Sequence, residues 1–268
     1  IGFGATALLI GFFIFFPVYW LVISAFKTNE ELYRIVPSMW PQTWSLEHFR
    51  YALTEGGLLL QLGNTLFVSL GSALINCTMA VYAGYSFAKY RYFGRRPVML
   101  FMLSAQMFPF GLLLITIYPM FTTWGLLDTR LGLMISYIVF ALPVATYMLY
   151  SYFSQVPNEL IEAARADGAS DLRILHTIVL PISVAPIVTV FLYSFMWSWN
   201  DLLYSLTLIV SEDKRTVGPG ILLTYLNDSH SNWGGAMAAS ILASIPVIVA
   251  FMALQRFFIE GVTAGAVK

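Results

Sequence analysis

Between its charged residues this sequence leaves six long gaps. Residues 1–26, 56–88, 97–127, 131–158, 174–200 and 229–255 contain no Asp, Glu, Lys or Arg. Each gap can hold the roughly 20 residues that an α-helix needs to cross a bilayer. Only 10% of the residues are charged and 59% are hydrophobic, whereas a soluble domain carries about 25% charge. The expectation is an all-α integral membrane protein, with six transmembrane helices forming a single domain over residues 1–268. The formal net charge of zero gives no argument for a nucleic-acid or acidic partner, and the single cysteine, Cys77, excludes a disulfide within the chain. The first residue is Ile1 rather than a methionine, so residues are expected to precede it.

In chain order the spans are expected near Phe3–Phe26, Leu62–Ala88, Pro97–Thr123, Leu131–Tyr150, Pro181–Trp199 and Ala236–Phe258. In the second span, Ser69, Ala73 and Cys77, and again Ala80, Gly84 and Ala88, repeat small residues every fourth position. Such stripes let helices approach closely in lipid. Leu202–Val210 is too short to cross and is expected along the outer interface or as an extension of the fifth helix. The turn Lys89–Arg96, KYRYFGRR, holds four bases and no acid, a positive-inside signal that places it in the cytoplasm. Alternation then puts both termini and the 157–181 loop inside, and the polar stretches 27–61 and 211–233 outside. By this topology eight bases lie inside and six outside.

Residues Pro157–Pro181, PNELIEAARADGASDLRILHTIVLP, turn a mostly apolar chain into a densely charged, helix-forming one. Asn158 is a suitable N-cap, and Glu159 and Glu162 suit the first turn, where exposed amides favour negative charge. Leu160, Ala163 and Ala164 fall at i, i+3 and i+4 beside a charged face of Glu159, Glu162 and Arg165. Asp167 and Gly168 end the helix, Gly168 in the left-handed conformation. Ser170 then caps a second helix that Leu172, Leu175 and Val179 carry into the fifth span.

The three histidines, His48, His176 and His230, fall in separate loops, so no metal site is expected. No glycine-rich phosphate cradle followed by lysine occurs, so ATP binding by this chain is not expected, and neither an elbow motif nor paired carboxylates support an intramembrane enzyme. Polar residues inside the spans, Asn64, Asn76, Gln106, Ser194, Ser198 and Asn200, are candidates for a substrate path; bonding to a neighbouring helix is the competing reading of each. A sugar needs amide and hydroxyl partners plus aromatic faces, and 16% of the residues are Phe, Trp or Tyr. Asp201 is expected at the outer interface, paired or wetted.

Glu162, Ala163, Ala164, Gly168, Ile178, Leu180 and Pro181 match, without a gap, the Glu-Ala-Ala…Gly…Ile-x-Leu-Pro pattern. The segment thereby resembles the "EAA" loop of permease subunits of binding-protein-dependent ABC importers. Asn64-Thr65-Leu66, KYRYFGRR, WGLLDT, Trp199-Asn200-Asp201 and the terminal FIEGVTAGAVK extend the likeness to the carbohydrate branch, similar to the second permease subunits of maltose importers.

The resemblance implies a type I importer permease fold in a bacterial cytoplasmic membrane. It implies a second, different permease subunit, two ATP-binding subunits that hold ATP and Mg, and an extracytoplasmic sugar-binding protein. The first helix of the loop becomes a coupling helix in an ATPase groove, which assigns ATPase coupling to Glu159, Glu162, Ala163, Ala164, Asp167, Gly168, Leu180 and Pro181. Ser211–Trp233 corresponds to a loop that enters the binding protein, and Gly261–Lys268 to a tail that reaches the ATPase interface. An importer of a polyol or glycerol phosphate compound stays open as an alternative, as does, from another class, a passive membrane channel.

Overall fold

The computed structural model describes residues 2–227 and 230–266. Its helices in chain order are α1 (Gly2–Ala25), α2 (Asn29–Leu32), α3 (Glu47–Thr54), α4 (Leu58–Lys89), α5 (Arg95–Ser104), α6 (Leu114–Thr123) and α7 (Arg130–Phe153). There follow α8 (Asn158–Ala166), α9 (Asp171–Ile174), α10 (Leu180–Ile182), α11 (Val184–Trp199), α12 (Leu203–Leu208), α13 (Val217–Tyr225) and α14 (Trp233–Ala266). Two short antiparallel strands, β1 (Leu226–Asn227) and β2 (His230–Ser231), precede α14. Contacts divide the chain into two units: Ile1–Gly63 with Arg215–Ile248, and Asn64–Lys214 with Val249–Lys268.

All six charge-free gaps become apolar helix. Leu58–Lys89, Arg130–Phe153 and Trp233–Gln255 are each long and apolar enough to cross a membrane, and Leu9–Ala25 is a shorter apolar helix. The other two spans, in which the sequence places Pro109 and Pro186, are bent pairs: Arg95–Met107 with Phe110–Thr123 turns by 96°, and Asp171–Ile182 with Val184–Trp199 by 85°.

Proline chemistry locates both bends. Phe108, which precedes Pro109, is driven out of the helical region to φ −73, ψ 133, the restriction that a following proline imposes. In the second pair Pro186 falls in the first turn of α11, where its missing N–H goes unused. The helix therefore restarts at Val184, not at Pro181 as the sequence reading had it. The carbonyl four residues back, Ile182, would lack a donor; instead it accepts the Tyr152 hydroxyl at 3.0 Å. The approach to this bend is also less regular than expected, with a π turn over Leu175–Val179 between α9 and α10.

In the larger unit, α4, α7 and α11 pack around Cys77, Ala80, Tyr85, Ala145, Leu149 and Val190, and Ile161, Ala164, Ile174 and Leu175 close the same core. The small-residue stripe acts here. A Cβ built on Gly84 would lie 3.0 Å from both Leu149 Cβ and the Tyr150 nitrogen. Close backbone approach supplies dispersion where lipid removes the hydrophobic driving force. A second core joins Leu133, Tyr137, Phe140, Tyr204 and Leu208.

The smaller unit gathers residues 27–61 and, from Arg215 onward, the second stretch expected outside. Ala52, Leu58, Val217, Tyr225, Ala236 and Ala239 share a core, and the Tyr33 hydroxyl donates to the Ser231 carbonyl at 2.6 Å. Phe26 packs against Phe49 and Trp44 in tilted pairs, with ring centroids 4.8 and 5.4 Å away. Lys27 is buried, its Nζ lying 4.4 Å from the Trp20 ring centroid and donating to the Ser38 carbonyl at 2.5 Å. Burial pushes the Glu31 carboxyl up, but hydrogen bonds from Ser38 and the Gln42 and Thr43 amides together hold it below the usual range.

Candidate functional site

The helix of the Glu-Ala-Ala segment begins one residue earlier than expected. Pro157 takes the N-cap position with no side-chain cap, and Asn158 is the first helical residue. The Asn158 side chain instead accepts from Lys89 Nζ at 2.9 Å, while the same ammonium donates to the Val156 carbonyl at 2.6 Å. The buried side of α8 is Ile161 and Ala164, whereas Leu160 and Ala163 are exposed with Glu159 and Glu162. This corrects the face read from sequence: periodicity defines a stripe but not which of two adjacent stripes meets the core.

Gly168 closes α8 at φ +80, its amide donating to Arg165 and that of Ala169 to Ala164, both at 3.0 Å. Left-handed backbone favours glycine there. Ser170 caps α9, accepting from the Arg173 amide at 3.4 Å. Across the turn Arg165 Nη2 lies 2.8 Å from Asp171 Oδ1. Hydrogen bonds from Arg165 and then Tyr90 hold the Asp171 carboxyl below the usual range, outweighing burial. A cleft of about 360 Å³ between the basic turn and α8 is lined by Lys89, Tyr90, Arg91, Asn158, Ile161, Glu162 and Arg165. Leu180 is half-buried and Pro181 exposed, both on the approach to the 85° bend.

Four of the six polar candidates for a substrate path, Asn64, Asn76, Gln106 and Ser194, bond to another element, and Ser198 bonds within α11. Asn64 donates to the Asp213 carbonyl at 2.8 Å and accepts from Arg130 Nε at 3.1 Å. Asn76 donates to Ser194 Oγ at 2.6 Å, joining α4 to α11. Gln106 donates to the Phe140 carbonyl at 2.8 Å, and Ser198 to the Ser194 carbonyl at 3.0 Å. Asn200 differs. It is exposed and, with Asp201, Tyr193, Trp197, Phe110 and Met196, lines a cavity of about 740 Å³. Asp201 is paired: Tyr137 donates to it at 2.8 Å and the Ser205 amide at 2.9 Å, the latter fixing the start of α12.

Sequence reasoning missed Asp128. At φ 56 it accepts from the Val210 and Ser211 amides at 2.9 Å each and from Lys214 Nζ at 2.9 Å. Burial pushes its carboxyl up, but these bonds and that of the Ser211 hydroxyl hold it well below the usual carboxylate range. An acid alone between two apolar runs was the available signal. Of Ser211–Trp233, residues 228 and 229 lie outside the described residues, and α13 occupies the middle. Gly261–Lys268, the tail expected at the ATPase interface, is helical backbone to Ala266, and its last two residues lie outside the described residues.

The family described as "Binding-protein-dependent transport system inner membrane component" matches residues 78–263. The inner membrane ABC transporter permease protein YcjP of Escherichia coli K12 is 31% identical over 255 residues, covering 94% of this chain and 91% of the relative. The maltodextrin transport system permease protein MdxG of Bacillus subtilis is 33% identical over 261 residues, 97% of this chain and 93% of that one. Among solved structures, a chain of a bacterial ABC transporter involved in import of the acidic polysaccharide alginate superposes with a TM-score of 0.82. It is 22% identical and covers 96% of both chains, so the fold is that of an ABC importer permease.

Proposed function

We propose a function for this chain, which belongs to the family of binding-protein-dependent transport system inner membrane components: it is a multi-pass permease subunit of an ATP-driven ABC importer. Its cargo is a sugar or oligosaccharide. The observation that carries the coupling role is the outward face of α8, where Glu159, Leu160, Glu162 and Ala163 stand clear of the chain's own core. A small side chain at Ala163 permits close approach, and the carboxylates suit a basic groove in an ATPase. Asp167 and Gly168 set the angle of that helix.

Motion has a physical route inward. The Arg165–Asp171 ion pair joins α8 to α9, Ala164 packs in one core with Ile174 and Leu175, and Leu180 and Pro181 precede the bend at which α11 begins. A displacement of α8 is thereby passed to α11, which lines the cavity holding Asn200. Aromatic faces at Tyr193 and Trp197 beside the Asn200 amide suit a hydroxylated ring, and the relative MdxG is named for maltodextrin transport.

The assembly in this reading contains a second permease subunit, two ATP-binding subunits that hold ATP and Mg, and an extracytoplasmic sugar-binding protein met by residues 211–233. Both termini are cytoplasmic, and the membrane is the bacterial inner membrane. Proteoliposomes holding the complete set should take up an oligosaccharide only with ATP and binding protein present. Uptake that persists without ATP would overturn the reading in favour of a passive channel.

A further inference from the structure

The turn between α4 and α5 carries Lys89, Arg91, Arg95 and Arg96 and no acid. Two of these bases have internal work: Lys89 holds Val156 and Asn158, and Arg95 Nη1 donates to the Tyr90 carbonyl at 2.9 Å, which fixes the turn. Arg91 and Arg96 are exposed and make no hydrogen bond or ion pair among the described residues. With Tyr92, Phe93, Arg95 and Pro97 they line a shallow depression of about 650 Å³. Phe93 is exposed at 106%, and Val98, Leu100 and Phe101 in the first turns of α5 are also bare.

We propose that this turn is a docking site for anionic phospholipid of the surrounding bilayer, Arg91 and Arg96 holding the headgroup phosphate while Phe93 enters the interface. The position follows from the chain: α4 ends and α5 begins here, so the turn lies at headgroup depth. An aromatic ring is favoured at that depth and disfavoured in bulk water. Guanidinium groups match phosphate oxygens in a planar, two-point geometry. The site rests on the reading of α4, and of the bent pair that α5 opens, as spans, but on neither the cargo nor the ATPase contact.

The assembled transporter, placed in nanodiscs of mixed phosphatidylglycerol and phosphatidylcholine, should retain phosphatidylglycerol in excess of the bulk ratio after mild extraction. A symmetric nanodisc offers both lipids on both faces, so the result does not depend on which end is cytoplasmic. Arg96→Gln should reduce the excess about fivefold, and Arg91→Gln with Arg96→Gln about as much again, because each base near an anionic surface contributes on that scale. High salt should collapse the excess in the unaltered protein. ATPase retention, read on the same samples, separates loss of coupling from loss of lipid. A retained ratio equal to bulk, an excess unchanged in the double variant, or an excess indifferent to salt would each overturn the proposal.

Discussion

Lys89 Nζ lies 2.9 Å from Asn158 Oδ1, joining the last residue of α4 to the first of α8. The most basic turn of the chain and the Glu-Ala-Ala helix therefore share one end of their unit, as they must if both face the cytoplasm. The positive-inside rule and the coupling assignment use different residues, and this contact makes them depend on the same geometry.

Topology can be tested at two exposed positions. On a Cys77→Ser background, Arg96→Cys should react with an impermeant thiol reagent only in opened vesicles. Glu212→Cys should react in intact cells without an outer barrier. The reverse labelling pattern would invert the orientation of every span.

Gly168→Val should insert normally, lose co-purifying ATPase and abolish uptake. No heavy atom lies within 4 Å of a Cβ built at Gly168, so crowding is absent and φ +80 is the whole difficulty. A β-branched residue resists that region at a cost of order 1 kcal/mol or more, and α8 swings off its aim instead. Gly168→Asn, which tolerates left-handed backbone, should keep most of both activities. Glu162→Lys should weaken ATPase retention less than valine does. Normal ATPase retention in Gly168→Val would make this an ordinary surface turn.

Ser194→Ala should lower the thermal stability of the detergent-solubilised protein by about 1–2 kcal/mol, because it strands the buried Asn76 amide. Asn76→Leu combined with Ser194→Ala should cost less than the sum of the two single changes, since neither partner is then left unpaired. Additive losses would mean that the contact does not tie α4 to α11.

Asp128→Asn removes the ionic contact with Lys214 and should destabilise by about 1–2 kcal/mol at neutral pH. The Asp128 carboxyl titrates lower in the folded protein than when unfolded. Its contribution is therefore complete above the unfolded value of about 4 and is lost as pH falls toward the folded one. The gap in melting temperature between the variant and the unaltered protein should stay constant from neutral pH to about pH 5 and close only in stronger acid. A gap that closes already near neutrality would show that Asp128 is not held as a carboxylate.

The coupling loop was largely legible because its signals are local. Gly168 and Ser170 do in the structure what their residue types suggest, since a left-handed turn and a cap involve only near neighbours in the chain. The buried face of α8 was not legible: Ile161 and Leu160 are both apolar, and only the position of Ile174 and Leu175 decides which is covered. The polar span residues were ambiguous for the same reason. A buried asparagine reads alike whether a serine 118 residues away or a sugar completes it.

The spans themselves the sequence determined alone, because excluding charge from hydrocarbon is a demand made on each residue separately and leaves gaps that can be counted. Proline positions also marked both bends. Only the tertiary structure decided how the bends are satisfied, with Tyr152 supplying the donor that Pro186 withholds from Ile182. It likewise decided that Asp128 closes on Lys214, and Asp201 on Tyr137. In each case the partner lies 30 to 86 residues away, and a hydrogen bond is specified by distance in space, which no pattern along the chain encodes.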